Sequence, residues 1–259
     1  MNKIQEFNAL HEENGLLLLG NVWDLLSALS LENAGFKAVG TSSWGIAKSL
    51  GYSDGEMIDF EQQLNVIKTI ANHVKIPVTA DIESGYGHNE KTIVDNVLKL
   101  ADLGVVGINI EDSHKNQKGL KQEIAQCNLL TKIRNALEAN GYSDFFINAR
   151  TDTYLQNNDP LEETIIRAKA YVESGASGIF VPGLKEDEEI IAVVSEINAP
   201  LNIMTLPGLT NCNKLKEFGV RRISLGGALY RKLNNLLDNC AAQLLESQDT
   251  SVLFETNGR

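Results

Sequence analysis

Residues 77–111 read PVTADIESGYGHNEKTIVDNVLKLADLGVVGINIE, and this stretch decides the fold. A short β-branched run (77–82) is followed by a stretch of helical period (91–104) and by a second apolar run (107–111). Gly104 is a suitable end for the helix, because glycine adopts the left-handed conformation of a helix C-terminus without strain. The stretch therefore predicts a strand, a helix and a second strand parallel to the first.

The same alternation of strand and helix extends along the chain. Amphipathic stretches at 60–74 and 159–175 predict two more helices, the second with Asp159 as N-cap and Pro160 as its first residue. Strands are predicted at 16–20, 38–42, 77–82, 107–111, 145–150, 178–183, 201–206 and 221–226. Eight strand–helix pairs are typical of a closed (β/α)8 TIM-type barrel of the α/β class.

An open, doubly wound sheet is the alternative fold. It would require a phosphate-binding GxGxxG motif after the first strand, and LLLLGNVWD (16–24) contains none. No linker rich in proline, glycine or serine divides the chain. We therefore predict one barrel domain over residues 1–246, closed by a helix at about 227–246, and a polar tail over 247–259.

The composition indicates a globular cytoplasmic protein. Of 259 residues, 43% are hydrophobic and 22% are charged, and no run of 18 apolar residues predicts a membrane span. The first fifteen residues are acidic and lack the apolar centre of a signal peptide. The three cysteines, at positions 127, 212 and 240, fit reduced thiols of the cytoplasm. A net charge of −11 argues against a nucleic-acid partner.

Two carboxylates, Asp81 and Glu83, end the third predicted strand. Alternation along a strand places side chains i and i+2 on one face, so both should point the same way. Two charges about 4 Å apart repel by roughly 4 kcal/mol at an effective dielectric near 20, so water, a proton, a cationic side chain or a metal must offset the cost. Glu111 ends the next strand, and such oxygen ligands suit Mg2+. The alternative is a set of structural carboxylates satisfied by backbone amides or by Arg150.

Arg150 and the segment at Ser42, Ser43 and Trp44 are the predicted substrate-binding residues. A planar guanidinium grips a carboxylate through two parallel hydrogen bonds, although Arg150 could instead form a salt bridge that holds the acids in place. The two serines enter a loop after the second strand, where they could bind a substrate carboxylate or simply form a turn. Trp44 could line the pocket or pack in the core.

Several motifs together resemble the isocitrate lyase and phosphoenolpyruvate mutase superfamily, in particular its small mutase-like members. The resemblance covers residues 5–245, and its most specific part is VTADIESGYG followed by GINIED. The other motifs are NVWDLLSALSLENAGFKAVGTSS, SLGYSDGE, INARTD and RRISLGGALY. This resemblance implies a (β/α)8 barrel whose last helix often packs on a neighbouring subunit, giving dimers or tetramers.

The resemblance also implies roles for individual residues. Asp81 matches the acid nearest to a Mg2+ ion, with Mn2+ as an alternative metal, and Glu83, Glu111 and Asp54 match acids that hold its waters. Relatives often carry aspartate in place of Glu83. Ser42, Ser43 and Trp44 match the segment that binds the carboxylate and keto oxygens of the substrate. Arg150 matches the arginine that steadies the substrate and the developing charge, and Arg150 and Asp54 are the predicted catalytic residues.

Departures from the family pattern narrow the predicted reaction. Lyases that act on isocitrate carry a KKCGH motif that is missing here, the segment after the fourth strand (113–121) is short, and Pro182 replaces a histidine of the phosphonate enzymes. We therefore predict a Mg2+-dependent lyase or decarboxylase that acts on a small α-keto or 2-hydroxy acid through an enolate. The alternatives are a phosphonopyruvate mutase or hydrolase, and a barrel that binds a keto acid without catalysis.

Overall fold

Eight parallel strands form a closed barrel in the computed structural model, which describes residues 2–12, 15–115 and 117–254. Each strand pairs with the next, and the last pairs with the first. The predicted (β/α)8 fold is thus confirmed and the open-sheet alternative is wrong. The strands are β1 (Leu17–Val22), β2 (Val39–Thr41), β3 (Val78–Asp81), β4 (Gly107–Glu111), β5 (Phe146–Arg150), β6 (Gly178–Val181), β7 (Leu201–Met204) and β8 (Arg222–Ser224).

Helices surround the barrel: α1 (Lys3–Glu12), α2 (Leu25–Asn33), α3 (Ser43–Ser49), α4 (Phe60–His73), α5 (Glu90–Asp102), α6 (Glu123–Ala139), α7 (Thr153–Gln156), α8 (Leu161–Glu173), α9 (Asp187–Glu196), α10 (Cys212–Glu217) and α11 (Ala228–Ser247). A 3-10 helix (Thr250–Phe254) follows α11 within the predicted tail, of which residues 255–259 lie outside the described residues. Among the described helices, none has the length and apolar character needed to cross a membrane.

The start of α8 differs from the prediction. Pro160, not Asp159, is the N-cap residue, because its carbonyl oxygen accepts the first helical hydrogen bond, from the amide of Thr164 at 2.8 Å. Pro160 has no side-chain donor or acceptor, so this helix begins without a side-chain cap.

The unit β3–α5–β4 shows how the sequence places two acids at one edge of the barrel. Asn89 caps α5 by accepting a hydrogen bond from the amide of Thr92 at 2.9 Å. Gly104 ends the helix region with a φ of 82°, in the left-handed region that favours glycine. Strand β4 then runs beside β3 with Asp81 opposite Asn109, so the last residues of both strands lie at the carboxyl edge.

The opposite, amino-terminal edge of the barrel is closed by α1. Phe7 is fully buried, and its ring lies 5.5 Å from that of Phe146 in an edge-to-face arrangement. The guanidinium carbon of Arg222, inside the barrel, lies 6.0 Å from the Phe7 ring centroid. Because α1 covers this end, the carboxyl edge is the end that a ligand would approach, as in other barrels of this type.

Candidate active site

Asp81, the last residue of β3, is held by three neighbouring elements. Its Oδ2 accepts hydrogen bonds from the hydroxyl of Ser43 at 2.8 Å and the amide of Ser43 at 3.3 Å. Its own amide donates to Oγ1 of Thr41 at 3.0 Å, and its carbonyl oxygen accepts from Nε2 of Gln63 at 2.6 Å. The backbone and one carboxylate oxygen of Asp81 are therefore fixed, while no described residue donates a hydrogen bond to Oδ1.

Glu83 does not share a strand face with Asp81, so the prediction that both side chains point the same way was wrong. Strand β3 ends at Asp81, and Glu83 has a φ of 48°, which breaks the alternation of the strand. Its Oε2 accepts a hydrogen bond from the amide of Glu56 at 2.7 Å. The left-handed backbone thus turns the Glu83 side chain toward the loop that precedes α4.

The Glu83 carboxylate is buried beside the hydroxyl of Tyr86. This hydroxyl donates a hydrogen bond to Oε1 of Glu83 at 2.6 Å and also contacts Oε1 of Gln63. Burial raises the pKa of Glu83 to about 7; the charges of Asp54 and Asp81 add to this rise, and the Tyr86 hydrogen bond opposes it. Glu83 therefore holds its proton more readily than a free glutamate, which reduces the predicted repulsion between the acids.

Arg150, at the end of β5, joins two further carboxylates. Its Nη1 lies 3.0 Å from Oε2 of Glu111, and its Nε and Nη2 donate to Asp152 at 2.6 Å and 3.0 Å. A guanidinium has five N–H groups, so two remain for a ligand after these three contacts. Burial raises the pKa of Glu111 to about 8, although the charge of Arg150 opposes the rise. The predicted salt bridge is thus present, and it leaves part of the guanidinium free for a ligand.

The other predicted residues occupy different surroundings. Asp54 is an exposed residue as a whole, but its carboxylate is partly buried. This burial and the charge of Asp81 raise the pKa of Asp54. The Ser42 hydroxyl accepts a hydrogen bond from the amide of Gly45 at 3.1 Å and so caps α3. The Trp44 ring packs against Tyr230 of α11, with ring centroids 5.2 Å apart. Substrate binding by Ser42 and Trp44 stays a prediction.

The structure places several residues among the acids that were not predicted as site residues. Lys121 donates from Nζ to the carbonyl oxygen of Glu111 at 3.2 Å, and burial lowers its pKa. Glu56, Gln63, Tyr86 and Asp152 contact the predicted residues as described above. Glu56 shares the GYSDGE motif with Asp54, which was the one available signal, but the sequence did not reveal its burial.

The oxygen atoms at the carboxyl edge fit a Mg2+ ion held largely through water. Within the ranges that the structure describes, no three histidine, cysteine, aspartate or glutamate side chains converge as a ready-made metal cluster. Mg2+ keeps several waters and takes one or two direct carboxylates, so a cluster of three is not required. Asp81 offers Oδ1 as a direct ligand, and the raised pKa values of Glu83 and Glu111 reflect buried carboxylates that a cation would stabilise in their charged form.

Comparisons with known proteins give consistent matches over almost the whole chain. A family model described as phosphoenolpyruvate phosphomutase matches residues 7–245. An oxaloacetate decarboxylase of Pseudomonas syringae pv. tomato is 30% identical over 233 residues, which cover 87% of this chain and 79% of that protein. A proposed phosphonomutase of Burkholderia cenocepacia J2315 has a solved structure with a TM-score of 0.89 and 34% identity, covering 93% of this chain and 99% of its own. A phosphonopyruvate hydrolase solved with oxalate and Mg2+ shares the fold, with a TM-score of 0.86 and 23% identity over 96% of this chain and 88% of its own.

Proposed function

This chain belongs to the phosphoenolpyruvate phosphomutase family, as its motifs predicted, and we propose that it is a Mg2+-dependent lyase that cleaves a C–C bond of an α-keto or 2-hydroxy acid through an enolate. The observation that carries the proposal is the pairing of Arg150 with Glu111 beside Asp81, at the carboxyl edge of adjacent strands. The oxaloacetate decarboxylase among its relatives supports C–C cleavage.

Asp81, with Glu83 and Glu111 through water, would hold the Mg2+ ion. When bound, this ion supplies a Lewis acid that withdraws electron density from a keto oxygen. Asp81 is kept in position for this role by Ser43, whose hydroxyl and amide both donate to Oδ2. Because burial raises the pKa of Glu83, its carboxyl in the metal-free protein holds a proton more readily than a free glutamate, which lowers the cost of burying a charge.

Arg150 would bind the carboxylate of the substrate and balance the charge that develops on it. Two of its N–H groups are not used by Glu111 and Asp152, and both carboxylates hold the guanidinium in a fixed orientation. A fixed donor stabilises a developing negative charge without the cost of reorganisation during the reaction. In the cleavage of an α-keto acid, the electron pair of the broken bond stays on the carbon next to the keto group, and a proton then adds to that carbon. In the cleavage of a 2-hydroxy acid, the hydroxyl loses its proton as it becomes a carbonyl, and the released carbon gains a proton, so the step balances. We assign the transfer of this proton to Asp54.

Turnover of small acids by the purified protein tests this proposal. Purified protein with Mg2+ is incubated with a panel of 2-keto and 2-hydroxy diacids, and carbonyl products and CO2 are measured. The proposal expects product from at least one diacid and loss of that product when EDTA removes the metal. Thermal stabilisation by oxalate without product from any diacid would instead support a barrel that binds keto acids without catalysis.

Phosphonopyruvate chemistry is the second candidate, and the 34% identity to the proposed phosphonomutase favours it. Pro182, directly after β6, stands where the phosphonate enzymes that the sequence resembles carry a histidine, and this argues against phosphonopyruvate chemistry. Phosphorus NMR of phosphonopyruvate incubated with the protein separates the two reactions. A new phosphorus resonance would support mutase or hydrolase activity, and an unchanged spectrum would remove this candidate.

We also propose that the protein is a homo-oligomer assembled through α11. None of the α11 side chains is buried in the single chain, although the helix carries several leucines. Leu233, Leu236, Leu237 and Leu245 are 50%, 55%, 65% and 76% exposed. An apolar helix face of this size is typical of a surface that another chain covers, and in the resembled superfamily this helix packs on a neighbouring subunit.

A further inference from the structure

Glu56 is a buried carboxylate beside the proposed active site to which the proposed chemistry gives no role. Its side chain is 1% exposed, in the loop between α3 and α4. Its Oε1 accepts hydrogen bonds from the amide and hydroxyl of Ser84, at 3.1 Å and 2.6 Å, and from the amide of Tyr86 at 3.0 Å. One carboxylate oxygen thus holds the loop that follows β3.

The backbone around Glu56 has an unusual conformation for residues with side chains. Glu56, Glu83 and Tyr86 have φ values of 56°, 48° and 54°, all in the left-handed region. Residues other than glycine adopt this region rarely, and they persist there when surrounding contacts determine the conformation. The hydrogen bonds of Glu56 to the loop after β3, and that of its own amide to Oε2 of Glu83 at 2.7 Å, supply such contacts.

The second oxygen of the Glu56 carboxylate reaches a third loop. Nζ of Lys115, in the segment after β4, lies 2.8 Å from Oε2 of Glu56, as an ion pair rather than an aligned hydrogen bond. A buried carboxylate needs a partner charge, and Lys115 is the one cation within ion-pair distance of Glu56 among the described residues. The side chain of Lys115 is itself 31% exposed, so the pair closes the outer side of the loop cluster.

The segment that carries Lys115 is also tied to the Arg150 side of the site. The Ser113 hydroxyl donates to Oδ2 of Asp152 at 2.5 Å and accepts from Nε2 of Gln156 at 2.8 Å. Asp152 in turn holds the guanidinium of Arg150. The contacts of Glu56 therefore run in one direction to Glu83 and in the other, through Lys115 and Ser113, to the partner of Arg150.

We propose that Glu56 is a positioning residue that fastens together the loops after β2, β3 and β4 and so fixes Glu83 relative to Arg150. This inference deepens the proposed function and rests on it for its catalytic consequence. Glu56 does not need to touch the substrate for this role. Its charge is required for the pair with Lys115, whereas its Oε1 needs only to accept hydrogen bonds from the loop after β3.

Glu56→Gln and Lys115→Met test the proposal separately. Glutamine keeps an oxygen acceptor for Ser84 and Tyr86 and removes the charge that Lys115 needs. Lys115→Met removes the cation at similar length, and Lys115→Arg restores it. Lys118→Met is the matched control, because Lys118 is an exposed lysine of the same segment that forms no ion pair with a described residue. The double variant Glu56→Gln/Lys115→Met measures whether the two residues act as one unit.

Amide hydrogen exchange of residues 113–121 in the ligand-free protein is the first measurement, and oxalate affinity in the presence of Mg2+ is the second. We expect exchange of this segment to become roughly fivefold faster or more in Glu56→Gln and in Lys115→Met, with no further increase in the double variant. We expect oxalate to bind several-fold more weakly in the same variants, and Lys115→Arg to behave as wild type.

The proposal is overturned if both single variants have the same hydrogen-exchange rates and oxalate affinity as Lys118→Met. It is also overturned if the effects of the two substitutions on exchange simply add in the double variant. If Glu56→Gln does not fold, the comparison of Lys115→Met with Lys115→Arg and Lys118→Met decides alone. Because hydrogen exchange is measured without substrate, a protein that turns over no diacid would refute the proposed function and leave the test of Glu56 intact.

Discussion

Replacing Arg150 with lysine keeps a positive charge at the site but removes the planar fork of the guanidinium. Arg150 makes three charge-assisted contacts, two to Asp152 at 2.6 Å and 3.0 Å and one to Glu111 at 3.0 Å. A lysine can retain about one of them, so two are lost, at about 1.5 kcal/mol or more each. We therefore expect the free energy of unfolding to fall by about 3 kcal/mol, which for a domain of this size lowers Tm by roughly 6–12 °C.

The catalytic effect of Arg150→Lys should be larger than its structural effect explains. A fixed donor of this kind commonly contributes about 3 kcal/mol to transition-state stabilisation, so we expect kcat/KM to fall roughly a hundredfold or more. Oxalate should bind more weakly as well, whereas Mg2+ affinity without oxalate should change little. The assays are initial rates on the active diacid, calorimetric titration of oxalate with Mg2+, and thermal unfolding.

Asp152→Asn is the matched control for the structural part of this effect. It weakens the same pair and should lower Tm by a similar amount, but it leaves the guanidinium of Arg150 in place. We expect its kcat/KM to stay well above that of Arg150→Lys. Normal kcat/KM and oxalate affinity in Arg150→Lys, together with reduced stability, would show that Arg150 is only a structural partner of the acids and does not bind the substrate carboxylate.

Three further predictions concern the metal, pH and assembly. Asp81→Asn should abolish Mg2+ binding in calorimetry, while the Tm of the metal-free protein stays the same or rises. A fall of several kcal/mol in the free energy of unfolding would instead indicate that Asp81 is a structural carboxylate. Because the folded-state pKa values of Glu83 and Glu111 are raised to about 7 and about 8, the folded state binds more protons than the unfolded state above pH 4.5, so stability should fall as pH rises from about 5 to 8. Thermal unfolding across this range checks the slope, which Mg2+ with oxalate should reduce; a Tm that rises with pH would contradict it. Leu236→Asp with Leu237→Asp should convert the oligomer to monomers in light scattering after size-exclusion chromatography, and an unchanged mass would exclude α11 as the interface.

The barrel could be predicted because its signals are local. The strand predicted at 107–111 has the same ends as β4, because Gly107 and Glu111 mark the two ends of the run. Every other predicted strand is present with ends that differ by at most two residues. Hydrophobic period and glycine at helix ends depend on neighbours in sequence, so a single chain contains enough information to recover them.

The site could be predicted only in part, because its other contacts join loops that are distant in sequence. Asp81, Glu111 and Arg150 lie at the ends of predicted strands, and the structure places them at the ends of β3, β4 and β5. The orientation of Glu83 was wrong because a left-handed φ at a glutamate leaves no mark in the sequence. Glu56 contacts Lys115, which lies 59 positions further along the chain, and no local sequence pattern predicts such a contact or the burial of Glu56.

The central claim is that this barrel stabilises an enolate of the pyruvate type, and exchange of the pyruvate methyl protons with deuterium tests it without knowledge of the natural substrate. Proton NMR of pyruvate in D2O follows the methyl signal in the presence of the protein and Mg2+. We expect this signal to be lost faster than with Mg2+ alone, and the loss to return to that background rate with EDTA or with Asp81→Asn. If the protein binds oxalate with Mg2+ yet exchanges the pyruvate protons no faster than the buffer does, it does not stabilise an enolate of the pyruvate type.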